Sequence, residues 1–183
     1  EEDEERALAI LEGERLIELG RIEWKQSKPE LTHQYYSQAL EVFERVDYPK
    51  GKSIALGSLA HLALNHGEIS STLDLLEQAL QIAKNTGDNV SEGKYLANLG
   101  LVYHRSGEQN TAKEYLERAL EISLHIGNKK SEGSQLNLLA NVYESLDDYK
   151  MAISCTERAI EIHRAVGDKS GEIIGVGNLG NIY

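Results

Sequence analysis

The chain has a single cysteine, Cys155, so no internal disulfide can form. That fits a reducing compartment. No apolar run approaches the ~20 residues that a membrane-spanning helix needs. The opening Glu1-Glu2-Asp3-Glu4-Glu5 is the reverse of a signal peptide's basic start. A cytoplasmic location is therefore expected. Positive charge is also short, with 19 Lys and Arg against 30 Asp and Glu and a formal net charge of −11. An acidic surface repels a phosphate backbone and an anionic bilayer, so neither nucleic acid nor membrane insertion is expected. A basic or mixed-charge protein partner remains open. The chain opens on Glu1 and its only methionine is Met151, so it is expected to be a fragment of a longer protein.

The usual carriers of chemistry are missing too. The six histidines (His33, His61, His66, His104, His125 and His163) include no i, i+4 pair, and there is no HExxH or Cys-x-x-Cys. No glycine-rich phosphate loop follows a strand. The carboxylates are spread over helix surfaces, where a charge run is ordinarily a solvated face. No catalytic residue, metal or cofactor is expected, and the chain is not expected to be an enzyme.

What the chain does have is repetition. Residues 11–50, 51–90, 91–130 and 131–170 align without a gap as four 40-residue blocks, and 171–183 begins a fifth. Residues 1–10 form an acidic lead, expected to be helical. Ala39, Ala79, Ala119 and Ala159 share one column, followed by Leu40, Leu80, Leu120 and Ile160. Leu19, Leu59, Leu99, Leu139 and Leu179 share another, each followed by a small residue: Gly20, Ala60, Gly100, Ala140 and Gly180. Small residues at fixed places let helices approach, and large ones fill the space between them. Within the third block, Leu96, Leu99 and Tyr103 fall on one helical face, and Ala112, Leu116, Ala119 and Leu120 on another. Each block therefore reads as two helices, nine in all. Gly87, Gly127 and Gly167 suit a left-handed helix end, and Asp88, Asn128 and Asp168 can cap the helix that follows. The first junction lacks its glycine, and Pro49 is placed in the opening turn of the next helix. By register, Val176, Leu179 and Tyr183 carry the buried face of the last helix.

The spaced residues Leu96, Leu99-Gly100, Tyr103, Ala112, Leu116 and Ala119 resemble the signature of the tetratricopeptide repeat (TPR) family. Leu136, Leu139-Ala140, Tyr143, Ala152, Thr156 and Ala159 repeat it. The 40-residue spacing with Asn98-Leu99-Gly100 and Asn178-Leu179-Gly180 resembles the subgroup of the spindle-orientation adaptor, kinesin light chains and bacterial signalling proteins. Glu23 departs from the pattern in the tyrosine column. The resemblance implies an all-α fold, a right-handed α-solenoid of stacked antiparallel helix pairs (a TPR superhelix). It also implies that the first helix of each pair lines a concave groove for an extended or helical segment of a partner.

Counting from the buried stripe, the groove positions in the first two blocks include Glu14, Ile17, Glu18, Arg21 and Trp24, then Ile54, Ser58 and His61. In the third they include Lys94, Ala97, Asn98, Leu101, His104 and Arg105. In the fourth and fifth they include Asn137, Leu138, Asn141, Asn178 and Asn181. The partner-contacting set expected from these is Arg21, His61, Lys94, Asn98, His104, Arg105, Asn137, Asn141, Asn178 and Asn181. Asparagine offers a donor and an acceptor and can bond a partner's backbone whatever its sequence. The competing expectation is that these amides bond a neighbouring repeat. Two functions compete as well. One is a scaffold or adaptor module for a protein or peptide, with self-association through the C-terminal segment as a further expectation. The other is a regulatory or sensor segment of a larger signalling protein: a transcription regulator, a kinase or a STAND-type ATPase.

Overall fold

The computed structural model describes residues 2–182, with Ile182 described by its backbone alone. Among the described residues there are nine α-helices and no strand. They are α1 (Glu2–Lys25), α2 (Pro29–Arg45), α3 (Pro49–Asn65), α4 (Ile69–Thr86), α5 (Asn89–Arg105), α6 (Gln109–His125), α7 (Lys129–Ser145), α8 (Tyr149–Ala165) and α9 (Lys169–Ile182). The acidic lead is part of α1, and Pro49 does open α3.

One turn geometry separates every pair of consecutive helices. An amide bonds back to the carbonyl five residues earlier: Lys28 to Glu23, Tyr48 to Phe43, Glu68 to Ala63, and so on at intervals of twenty residues to Asp168 and His163. This is the Schellman closure of a helix end, and it needs a left-handed residue just before the donor. Glycine fills that place at 67, 87, 107, 127 and 167, with φ between 66° and 84°. Ser27, Asp47 and Asp147 adopt the same conformation with φ of 58°, 47° and 59°. Short polar side chains tolerate it better than bulky ones, which is why these three junctions lack a visible glycine signal. Asn128 and Asp168 then cap the next helices, accepting from Ser131 N at 3.1 Å and Gly171 N at 3.2 Å.

The chain divides into two compact units, residues 1–88 with α1 to α4 and residues 89–183 with α5 to α9. Within each, helices that follow one another in sequence are neighbours, and first helices of adjacent pairs also touch. The alanine column lies wholly inside the core: Ala39, Ala79, Ala119 and Ala159 are all fully buried. The glycine before the next column has a direct cause in the third block. A Cβ on Gly100 would lie 2.6 Å from Leu116, so only glycine lets that leucine seat.

Two expectations about burial need correction. First helices bury more than the stripe Leu96, Leu99 and Tyr103. Leu62 in α3 and Val142 in α7 are also buried, because these helices pack on the preceding second helix as well as on their own partner. Tyr103 is only half-buried and stacks on Tyr115, with centroids 5.3 Å apart. In α9, Val176 is exposed rather than buried, and Leu179 is half-buried. Tyr183 lies outside the described residues. The buried positions of α9 are instead Gly171 and Gly175. The equivalents of Val176, Leu96 and Leu136, are buried in helices that have a second helix of their own pair; α9 is followed by none in this chain.

Candidate partner-binding groove

In the first unit, four of the register positions on α1 meet one on α3. Glu14, Ile17, Glu18 and Arg21 line a cavity of about 300 Å³ with Ile54, and Phe43, Tyr48 and Gly51 complete it. Ile17 and Phe43 are buried, and Ile54 and Tyr48 are half-buried. Arg21 is exposed and paired with Glu18 one turn away. Beside them, the exposed His61 meets the edge of Trp24 with ring centroids 5.4 Å apart. Periodicity anticipated the α1 members of this cavity and Ile54 of α3, but not Gly51. Phe43 and Tyr48 it did not, because they come from the end of α2 and the turn after it.

In the second unit the expected positions are less uniform. Lys94 and Arg105 are exposed, and the Lys94 ammonium stands 5.8 Å from the centre of the Tyr95 ring. Asn98 and Asn141 are half-buried, and Asn181 is exposed. His104 is half-buried and tied to α6, its Nδ1 2.7 Å from Gln109 Oε1.

Asn137 departs from the groove assignment. It is 5% exposed, and its Nδ2 donates to Gly171 O at 3.3 Å and lies 3.4 Å from His163 Nε2. Asn178 in turn donates to Asn137 O at 3.5 Å. These amides bond a neighbouring repeat, the competing expectation. A sequence signal existed: the column of Asn137 otherwise holds Ile17, Gly57, Ala97 and Gly177, which are apolar or small.

Asn137 belongs to a polar cluster that sequence reasoning missed. His163 is fully buried in α8, with Nδ1 3.4 Å from Asp168 Oδ2. Lys130 lies 3.7 Å from the same carboxylate oxygen. A bond from the Gly171 amide, with Lys130 and His163 beside it, holds Asp168 below the usual carboxylate range despite some desolvation. Nearby, Glu132 is 1% exposed. Burial pushes its carboxyl up, but hydrogen bonds from Lys129 at 2.7 Å and Arg158 at 2.6 Å outweigh it, and the net shift is downward. A buried charge paired on both oxygens is the arrangement that makes burial tolerable.

Among the described residues no group of three or more His, Cys, Asp or Glu could hold a metal ion. Cys155 is buried, and burial pushes its thiol up, away from the reactive thiolate. No helix among the described residues is long and apolar enough to cross a membrane.

Comparison with known proteins agrees with the fold. Family models described as tetratricopeptide repeat match residues 53–124 and 135–170, together more than half of the chain. No curated protein sequence matches it. Among solved structures it is similar to aspartyl phosphate phosphatase F from Bacillus subtilis, with a TM-score of 0.83 and 16% identity over 88% of this chain and 43% of that one. It is similar to a kinesin light chain-like protein with TPR-like repeats from Podosopora anserina, with a TM-score of 0.73, 17% identity, and 93% and 84% covered. It is also similar to a signal transduction ATPase with numerous domains (STAND) that has a tetratricopeptide repeat sensor, from Pyrococcus horikoshii. There the TM-score is 0.81, with 18% identity and 93% and 26% covered. The chain thus spans less than half the length of the first and about a quarter of the third. At these identities the likeness concerns the fold, and the phosphatase and ATPase activities belong to those proteins. This chain, a succession of α-helix pairs, belongs to the tetratricopeptide-repeat family.

Proposed function

We propose that the chain is an adaptor module that captures an extended or helical segment of a partner protein along the exposed faces of its first helices. The observation that carries this reading is the α1–α3 cavity, where residues selected by register alone line one concave, partly apolar space. Asn98 and Asn141 support it in the second unit as half-buried amides on first helices. Arg21, His61, Lys94, Arg105 and Asn181, all exposed, supply the remaining contacts, and His104 and Asn178 contribute what their bonds within the fold leave free.

Random-peptide display on the whole chain tests the reading. Selected peptides are expected to lose affinity when Asn98 and Asn141 are both changed to alanine, with the thermal melt unchanged. Peptides that ignore this pair, and leave the spectra of α1, α3, α5 and α7 unperturbed, would place binding elsewhere.

A second reading is favoured by the likeness to a STAND protein with a tetratricopeptide repeat sensor. There the same surface would receive a ligand on behalf of an attached signalling domain. The sequence flanking this chain in its gene would decide between the two.

A further inference from the structure

We propose that the α1–α3 cavity holds one lysine or arginine side chain of the bound partner, its aliphatic stem on the apolar floor and its cation against Glu14 and Glu18. This rests on the groove reading above and adds the chemistry of the residue recognised.

The floor and wall differ in character. Ile17, Phe43, Ile54 and the Tyr48 ring make the floor. Glu14 and Glu18 stand one turn apart on the α1 wall. Arg21 is already bound to Glu18, so that pair is close to neutral. Glu14 has no ion-pair partner among the described residues, so the uncompensated charge of the cavity is negative. The surroundings agree: α1 carries eight carboxylates and four basic side chains. Lysine and arginine combine a long apolar stem with a terminal cation, and they bury the one while keeping the other at a polar rim. The half-buried Tyr48 ring, 5.6 Å from the sealed Phe43 ring by centroids, adds an aromatic surface that attracts a cation. A carboxylate would meet Glu14, and a purely apolar side chain would leave Glu14 unanswered. The cavity is not a general feature of the repeat. At the equivalent places α5 has Lys94, Ala97, Asn98 and Leu101, with neither the carboxylates nor the isoleucine.

The test uses the whole chain with ¹³C-labelled isoleucine methyls and four probes: the N-acetyl amides of lysine, arginine, norleucine and glutamate. The lysine and arginine probes are expected to shift the Ile17 and Ile54 methyls saturably. Norleucine should bind about threefold or more weakly, as one partly exposed ion pair allows. Changing Glu14 and Glu18 together to glutamine should remove that preference, as should high salt. Both glutamates are exposed, so the variant should fold, and an unchanged melt confirms it. Equal binding of norleucine, tighter binding of glutamate, no saturable shift, or a preference that survives the double variant would each overturn the proposal. Display-selected peptides that depend on Asn98 and Asn141, yet carry no basic residue and ignore Glu14→Gln, would overturn it while leaving the groove reading intact.

Discussion

Phe43 and His163 occupy the same place in the first and fourth repeats, and each ring lies between two glycines. For Phe43 these are Gly13 and Gly51, and for His163 they are Gly133 and Gly171. A Cβ on any of the four would collide with the ring; on Gly133 it would come within 2.8 Å of His163 Nε2. The same place in the second and third repeats holds Ala83 and Ser123, with Ser53 and Ser91, then Gly93 and Ser131, at the glycine positions. A ring therefore goes with two glycines, and a small residue does not require them. Gly171→Ala should destabilise the second unit by about 1–3 kcal/mol through overpacking. Combining it with His163→Ala should cost less than the sum of the two single changes, because the clash is then gone. A double-mutant cycle by urea unfolding measures this, and strict additivity would refute the pairing.

Ala119 is fully buried at the contact of α6 with its neighbours. Ala119→Leu should lower stability by about 1–3 kcal/mol, since the interior has no room for three more carbons. An unchanged thermal melt would contradict the register.

Acid should act on the second unit through Glu132 and Asp168. Both carboxyls are held below their ordinary values of 4.5 and 3.8, so the unfolded chain binds protons before the folded one does. Their contribution is fully present above those values and is lost as pH falls through the lower folded pKa. Stability measured by urea between pH 7 and 3 should fall steeply at the acid end. In Glu132→Gln the acid-dependent part should shrink, although the variant starts less stable, with Arg158 left beside an uncharged amide. An equally steep acid dependence in the variant would show that Glu132 is not one of the responsible groups.

The outer side of α9 exposes Ile173, Ile174 and Val176 at 71%, 55% and 50%. Its buried side is made of glycines, which cost roughly 1 kcal/mol each in a helix interior relative to alanine. In a proven monomer, amide hydrogen exchange from Ile174 to Asn181 should be much faster than in α7. Protection equal to that of α7 would mean that contacts with α7 and α8 suffice to hold the helix.

Helix type and number, the alanine column and most turns were legible in the sequence because they follow from local periodicity and local backbone chemistry. The 40-residue spacing sets which face of each helix is apolar, and glycine at 67, 87, 107, 127 and 167 announces the left-handed turn. The fate of a polar residue on a first helix was not legible. Asn98 and Asn137 stand one column apart on such helices, yet one is half-buried and the other is sealed under α9 beside His163. Spacing along one helix says which way a side chain leaves the axis; whether it meets solvent depends on how closely the next helix approaches. Here glycines at 133, 171 and 175 bring the backbones close enough to enclose Asn137 and His163. The α1–α3 cavity likewise needed Phe43 and Tyr48 from the end of α2 and the turn after it. Such convergence of three segments depends on packing across the unit, which helical periodicity does not encode.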